Sequence, residues 1–207
     1  MAPSTSTKER IIDEAMRLFG EQGYKGTSVV QIEAAAGLTP GAGGIYHHFN
    51  SKEAVLEAGI SVQLSRLDAF RDIRRILGDL GDLRIELAVM ARYTLAELDS
   101  QIEMLRILVT ESRLRPSLLA EAGDALVTGT YRSFAEWLKQ EATLDLDEAS
   151  AFMIATLTLG SLFSTRFVSG VLGIGGASIE DDTLVPAWVD MVMGMLAAHS
   201  GGANAAL

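Results

Sequence analysis

The stretch Ala36-Gly37-Leu38-Thr39-Pro40-Gly41 constrains the fold more than any other, because short apolar runs of helical period lie on both sides of it. Upstream, Ile11, Ala15, Leu18 and Phe19 fall at i, i+4, i+7 and i+8, one face of a first helix that Gly23 terminates. A second helix opens at Thr27 or Ser28, where Ser28 with Gln31 three residues on matches a capping box. Val29, Ile32, Ala35 and Ala36 form its inner face, and Gly37 ends it. Thr39 then reads as an N-cap with Pro40 at the first helical position, predicting a helix over about 39–49. Two short helices joined by a turn of this kind are a helix-turn-helix.

The rest of the chain is also helical in pattern. Ser51 opens a helix that runs to about Leu77, where Gly78-Asp79-Leu80-Gly81 breaks it. One apolar stripe follows through Leu83, Leu87, Met90, Ala91, Thr94 and Leu98, and another through Ile102, Leu105, Leu108 and Val109. Pro116 restarts the chain for a long helix through Leu119, Leu126, Phe134, Trp137 and Leu138. Residues 147–171 are apolar almost all round, 173–182 read as a loop, and a last helix spans about 183–199. No strand pattern or internal repeat stands out. The expectation is an all-α fold with a helix-turn-helix domain over 1–52, a helical domain over 53–200 and a disordered tail over 201–207.

Charge separates these two parts. Residues 1–54 carry five Lys and Arg against six Asp and Glu, so nine of the ten net negative charges fall on the remainder. A nearly neutral module can still bind nucleic acid if its few cations share a face, while the acidic remainder stays off the phosphates. There are no cysteines, which excludes disulfides and thiolate metal sites. The N-terminus has no apolar signal segment, and the uncharged run Ala149 to Thr165 holds six Ser and Thr, so a cytoplasmic chain with a buried helix is expected there over a membrane span. A mean hydropathy of +0.24 calls for a large interface or a cavity.

The glycines of Pro40–Gly44 suit a helix that enters the major groove by its N-terminal end, since small residues let the backbone approach phosphates and base edges. Tyr46, His47, His48 and Lys52 then serve as phosphate or base donors, while Ile45 and Phe49 anchor the segment.

The run LFGEQGYKGTSVVQIEAAAGLTPGAGGIYHHFNSKEAV resembles the DNA-binding domain of the tetracycline-repressor (TetR) family over about residues 7–56. The resemblance rests on Leu18-Phe19, Gly23-Tyr24, Thr27-Ser28-Val29, Ile32, Ala36-Gly37, Tyr46, His48-Phe49 and Ser51-Lys52-Glu53 in order. It implies a homodimeric transcriptional regulator, usually a repressor, on a near-palindromic double-stranded DNA operator. It also implies a C-terminal helical domain that binds a small effector and dimerises through helices near 147–171 and 183–199. Thr27, Ser28, Tyr46 and Lys52 take the places of phosphate contacts, and Thr39, Pro40, Ala42, Gly43 and His47 those of groove-facing positions. Packing for Tyr46, a solvated lysine for Lys52 and a structural role for His48 stay open beside these.

Two departures from the family pattern bear on that site. Five residues separate Thr39 from Ile45, where the family usually has three, and Glu33 stands where it usually has Ala. We expect the Glu33 carboxylate to cap or hydrogen-bond the longer turn.

Candidate effector-pocket residues are Met90, Tyr93, Met104, Leu108, Glu111, Phe134, Trp137, Phe163, Arg166 and Phe167, of which all but Arg166 are of types more often plain core. For Arg166 an ion pair is favoured over an effector anion. The methionines favour a hydrophobic effector. The loop Gly173–Ser178 lacks the spacing of a phosphate cradle, and the three histidines have no metal-ligand spacing. With no catalytic set to point to, the reading is a regulator and not an enzyme, with neither cofactor nor metal; the alternative is an architectural DNA-binding dimer without an effector.

Overall fold

The computed structural model describes residues 6–77, 81–141, 146–175 and 179–202. Among these the chain is helical, with no strand. The helices are α1 (Thr7–Gln22), α2 (Val29–Ala35), α3 (Lys52–Leu77), α4 (Leu83–Ser100), α5 (Ile102–Glu111), α6 (Pro116–Gly123), α7 (Thr130–Glu141), α8 (Glu148–Arg166) and α9 (Asp181–Gly202). α9 thus runs through two residues expected in the tail, and 203–207 lie outside the described residues.

These helices sort into two compact units, one of Met1–Ala69 with Gln101–Gly123, the other of Phe70–Ser100 with Asp124–Leu207. α5 and α6 therefore pack with the N-terminal helices, a grouping that local periodicity alone does not contain. Gly20 of α1 makes room for it: a Cβ there would meet the Glu103 Cα of α5 at 3.0 Å.

In the first unit, Ile11, Ala15 and Phe19 of α1 are fully buried with Ile32 of α2 and Val55 and Leu56 of α3. Ser6 caps α1 in a capping box with Glu9, and Gly23, at φ 79°, ends it by donating its N–H to the Phe19 carbonyl. In the second unit, Leu87, Ala91 and Leu95 of α4 pack with Phe134 and Leu138 of α7, Ile154 and Leu159 of α8, and Trp188 and Val192 of α9. The Trp188 indole N–H finds a buried acceptor in the Thr158 carbonyl, 2.8 Å away.

Two of the expected helices are present with a local change of bonding. The long helix from Pro116 runs to Glu141, with π-type bonding at Asp124–Gly129 between α6 and α7, beside Gly123 and Gly129. The all-round apolar helix likewise becomes π-helical at Phe167–Val171. With that continuation, Glu148–Val171 is long and apolar enough to cross a membrane by length and composition, yet α8 contributes Ala151, Ile154, Ala155, Leu159 and Leu162 to the core of the second unit.

Candidate nucleic-acid interface

The first unit positions its exposed edge through caps and turns. Ser28 accepts from the Gln31 N–H, and the Gln31 side chain accepts from the Ser28 N–H at 2.7 Å, so the start of α2 is fixed as its sequence predicts. At its other end Gly37 takes φ 73°, and the Leu38 N–H reaches back to the Glu33 carbonyl at 2.8 Å. That is the bond of a Schellman motif, which satisfies a terminal carbonyl of a helix.

Beyond Gly37 the structure overturns the predicted helix over 39–49. Residues 40–43 form turns, and only Gly44–His47 is helical, as one 3-10 turn. Gly41 and Gly43 take φ of 76° and 74°, outside the α-helical region, and glycine already destabilises a helix by about 1 kcal/mol relative to alanine. Thr39 makes no helix cap here, and instead its carbonyl accepts from the Ala42 N–H.

What holds the turn in place of helical bonds is Glu33. Its carboxylate is 1% exposed and accepts from the Gly41 N–H at 2.7 Å and the Ile45 N–H at 3.2 Å. The hydrogen bonding expected of Glu33 is therefore present. A buried carboxylate costs far less when backbone donors replace its water.

The site residues sort into three groups. Thr39, Pro40, Ala42, Tyr46, His47 and His48 are exposed and lie on or just after the stapled turn, and Gly43 is half-buried among them. Tyr46 is 56% exposed, which leaves its hydroxyl free of the core and argues against a packing role. Ser28 is exposed, but its hydroxyl is engaged with Gln31.

Thr27 stands apart. It is 1% exposed, and its hydroxyl donates to the carbonyls of Leu18 and Gly23 at 3.1 and 2.9 Å. Its side chain braces the end of α1.

Lys52 is largely committed as well. Its ammonium donates to the carbonyls of Tyr24 and Thr27, both at 2.7 Å, and stands 4.1 Å from the Tyr24 ring centroid. Burial, with the Arg115 charge adding to it, holds its pKa below the ordinary lysine value. A solvated helix-start lysine is thereby excluded.

Of the pocket candidates, Met104, Leu108 and Glu111 belong to the first unit and the other seven to the second. Glu111 is 4% exposed, accepts the Tyr24 N–H at 3.3 Å and pairs with Arg115, so its role is to bind α5 to the α1–α2 turn. Met104 is buried in that unit, and Phe134 and Trp137 are core residues of the second. Arg166 pairs with Asp181 at 2.6 Å and Asp99 at 2.9 Å, the ion-pair outcome. Phe163 and Phe167 stack beside it with ring centroids 5.1 Å apart.

Geometry thus defines a class: a helix-turn-helix type of unit, its second helix cut to one 3-10 turn after an exposed, internally braced loop, in a chain whose α4, α7, α8 and α9 build a second core. Residues 11–58 match the family described as bacterial regulatory proteins, tetR family. Through this domain the chain is similar to the tetR family of bacterial regulatory proteins. It is 40% identical over 67 residues to the transcriptional repressor AcnR of Corynebacterium glutamicum, covering 32% of each chain. The match spans about a third of the length of the curated relatives. A protein of Mesorhizobium loti assigned to the TetR family superposes with a TM-score of 0.71 at 20% identity, over 97% of this chain and all of that one. AibR, solved with isovaleryl coenzyme A and operator DNA, superposes with a TM-score of 0.60 at 21% identity, over 90% of this chain and 97% of its own. At such identities these likenesses concern the fold.

Proposed function

We propose that the chain is a cytoplasmic, ligand-responsive transcriptional repressor that acts as a homodimer on a near-palindromic operator. The observation that carries the reading is the exposed turn Thr39–His48, fixed to α2 by Glu33 and flanked by exposed hydroxyl, imidazole and phenol groups. Such an edge offers donors to base edges and phosphates while its backbone stays rigid. The 1–52 domain reads DNA, and the helical remainder dimerises and senses an effector.

Dimerisation is supported by the outer faces of α8 and α9. Phe152, Met153 and Leu157 of α8 and Met191 of α9 are 38–56% exposed, although both helices bury their opposite faces. Ala187, Gly194 and Ala198 lie exposed on the same face of α9 as Met191, and small residues at that spacing allow close helix packing. An apolar face of this kind fits a second copy related by a two-fold axis.

A hydrophobic effector is supported within the second unit by Met90, Tyr93, Phe163 and Phe167, all partly buried, while Arg166 is already neutralised by two aspartates. AibR, with its acyl-coenzyme A and operator, is a precedent for ligand response on this fold. The effector would act by binding the DNA-competent and DNA-incompetent states unequally.

The test is selection of bound duplexes from a random pool, followed by titration of the winner at several salt concentrations. A near-palindrome with half-sites about 34 Å apart or more, and a specific-to-non-specific ratio of about 10³ or above, is the expected result. Salt-dependent binding without a consensus would replace this reading with the architectural one.

A further inference from the structure

A residue in the left-handed region followed by a right-handed one turns successive backbone N–H groups to one side, making a concavity that takes an anion. The segment after α2 has this form, with Gly43 at φ 74° and ψ 20° leading into the 3-10 turn at Gly44, and Gly41 at φ 76° before it. In most settings the anion is a phosphate from outside. Here it is the chain's own Glu33, whose two oxygens take N–H groups four residues apart. The carboxylate therefore spans the turn, and an incoming phosphate cannot occupy those two donors.

Packing alone does not account for a carboxylate at this position. An apolar residue would fill the space without the cost of burying a charge beside a polyanion. What the carboxylate adds is a two-point fixing of residues 41–45 to α2, whose own ends are set by the Ser28 box and by Gly37. Ala42 lies within that fixed segment and Thr39, Pro40 and His47 flank it, all four exposed.

We propose that Glu33 is the specificity-determining positioning residue of the interface: it sets which exposed groups of the turn reach base edges and denies the Gly41 and Ile45 amides to the DNA backbone. This rests on the reading of the turn as a DNA-binding edge. Glu33 touches no base, and it acts through the placement of residues 39–47.

The experiment compares full-length parent, Glu33→Ala and Glu33→Gln for binding to the selected duplex and to a scrambled duplex of equal length and salt. Both variants are expected to lose discrimination by roughly tenfold or more, with scrambled-duplex affinity unchanged or raised as the carboxylate charge is lost and the Gly41 and Ile45 amides are freed. In Glu33→Ala, formate is expected to restore discrimination where chloride of equal ionic strength does not, because formate returns a carboxylate to the vacated space. Glu33→Gln, which keeps the volume, gains nothing from formate. A side chain that merely fills the core would not respond this way. Parental discrimination in a Glu33→Gln variant that melts with the parent would overturn the proposal and leave DNA reading intact, and so would a Glu33→Ala variant indifferent to formate. Should Glu33→Ala not fold, Glu33→Gln decides. A parent that does not discriminate duplexes at all removes the DNA-binding reading itself, and the proposal with it.

Discussion

Glu111→Gln is the most informative perturbation of the first unit, because it removes one charge while keeping an acceptor for the Tyr24 N–H. In the parent, the Arg115 guanidinium and the Lys52 ammonium lie 3.9 and 4.1 Å from the same ring centroid, that of Tyr24. Their repulsion adds to burial in depressing the Lys52 pKa, and Glu111 opposes it. Removing one partner of a fully buried pair costs about 3–5 kcal/mol. The Arg115 side chain is 19% exposed, and Glu53, more than half exposed, lies 3.9 Å from it, so water and a second carboxylate take up part of the loss. The expected destabilisation is about 2 kcal/mol.

Arg115→Leu should cost about as much or slightly more, since the Glu111 side chain is only 6% exposed. The double variant leaves no orphaned charge and should fall short of the sum of the two singles by at least about 1 kcal/mol. Urea denaturation followed by far-UV circular dichroism measures all four corners of the cycle. Additivity within about 0.5 kcal/mol would refute the reasoning, because it would mean that Glu111 and Arg115 contribute independently.

Three further expectations follow from other contacts. Thr27→Val leaves the Leu18 and Gly23 carbonyls without their shared donor and should destabilise by about 1–2 kcal/mol in thermal melts, with the salt dependence of DNA binding unchanged. Leu157→Asp places a charge in the proposed dimer face and should weaken self-association roughly a hundredfold or more, as read by sedimentation. Glu9 and Asp147 have pKa values below the ordinary carboxylate range, chiefly through backbone bonds with Ser6 and Ser150 respectively. Their folded values lie below the unfolded ones, so the stabilisation is present at neutral pH and lost as pH falls through the folded values. Melting temperature should therefore drop as pH falls below about 5, and less so in Glu9→Gln/Asp147→Asn.

Signals that are local in sequence were legible: the Ser28–Gln31 box, the terminating glycines at 23 and 37, and even the engagement of Glu33 with the turn. Misreadings arose where a distant partner decides. Thr27 looks like a surface residue at the start of a helix, yet the chain folds it against the carbonyl of Leu18, nine residues back. Glu111 looks like a polar residue in an apolar stripe, and its partner Tyr24 lies 87 residues away. The turn itself failed for a different reason. Thr39-Pro40 is a sound helix start, but three glycines and an internal carboxylate supplied a competing set of backbone bonds, and the helix lost.

The same internal commitments limit how the domain can hold DNA. Of the five cations in residues 1–54, Lys52 holds two carbonyls, Arg17 pairs with Glu14 and Glu21, and Arg10 reaches the Ala36 carbonyl at 3.3 Å. Lys25 is exposed, and Lys8 lies over the Phe49 ring at 5.6 Å, also exposed. Each phosphate neutralised by a cation contributes about 0.9 to the slope of log affinity against log salt. Two such cations per subunit give a slope near −2 per subunit, or about −4 for a dimer, shallow for a regulator of this size. Hydroxyl and phenol donors, which release no counterions, then carry more of the binding. Titration of the selected duplex across salt concentrations measures the slope directly. A value near −8 or steeper for the dimer would show that Arg10, Arg17 or Lys52 leaves its internal partners on binding, and the rigid-edge reading of this domain would have to be abandoned.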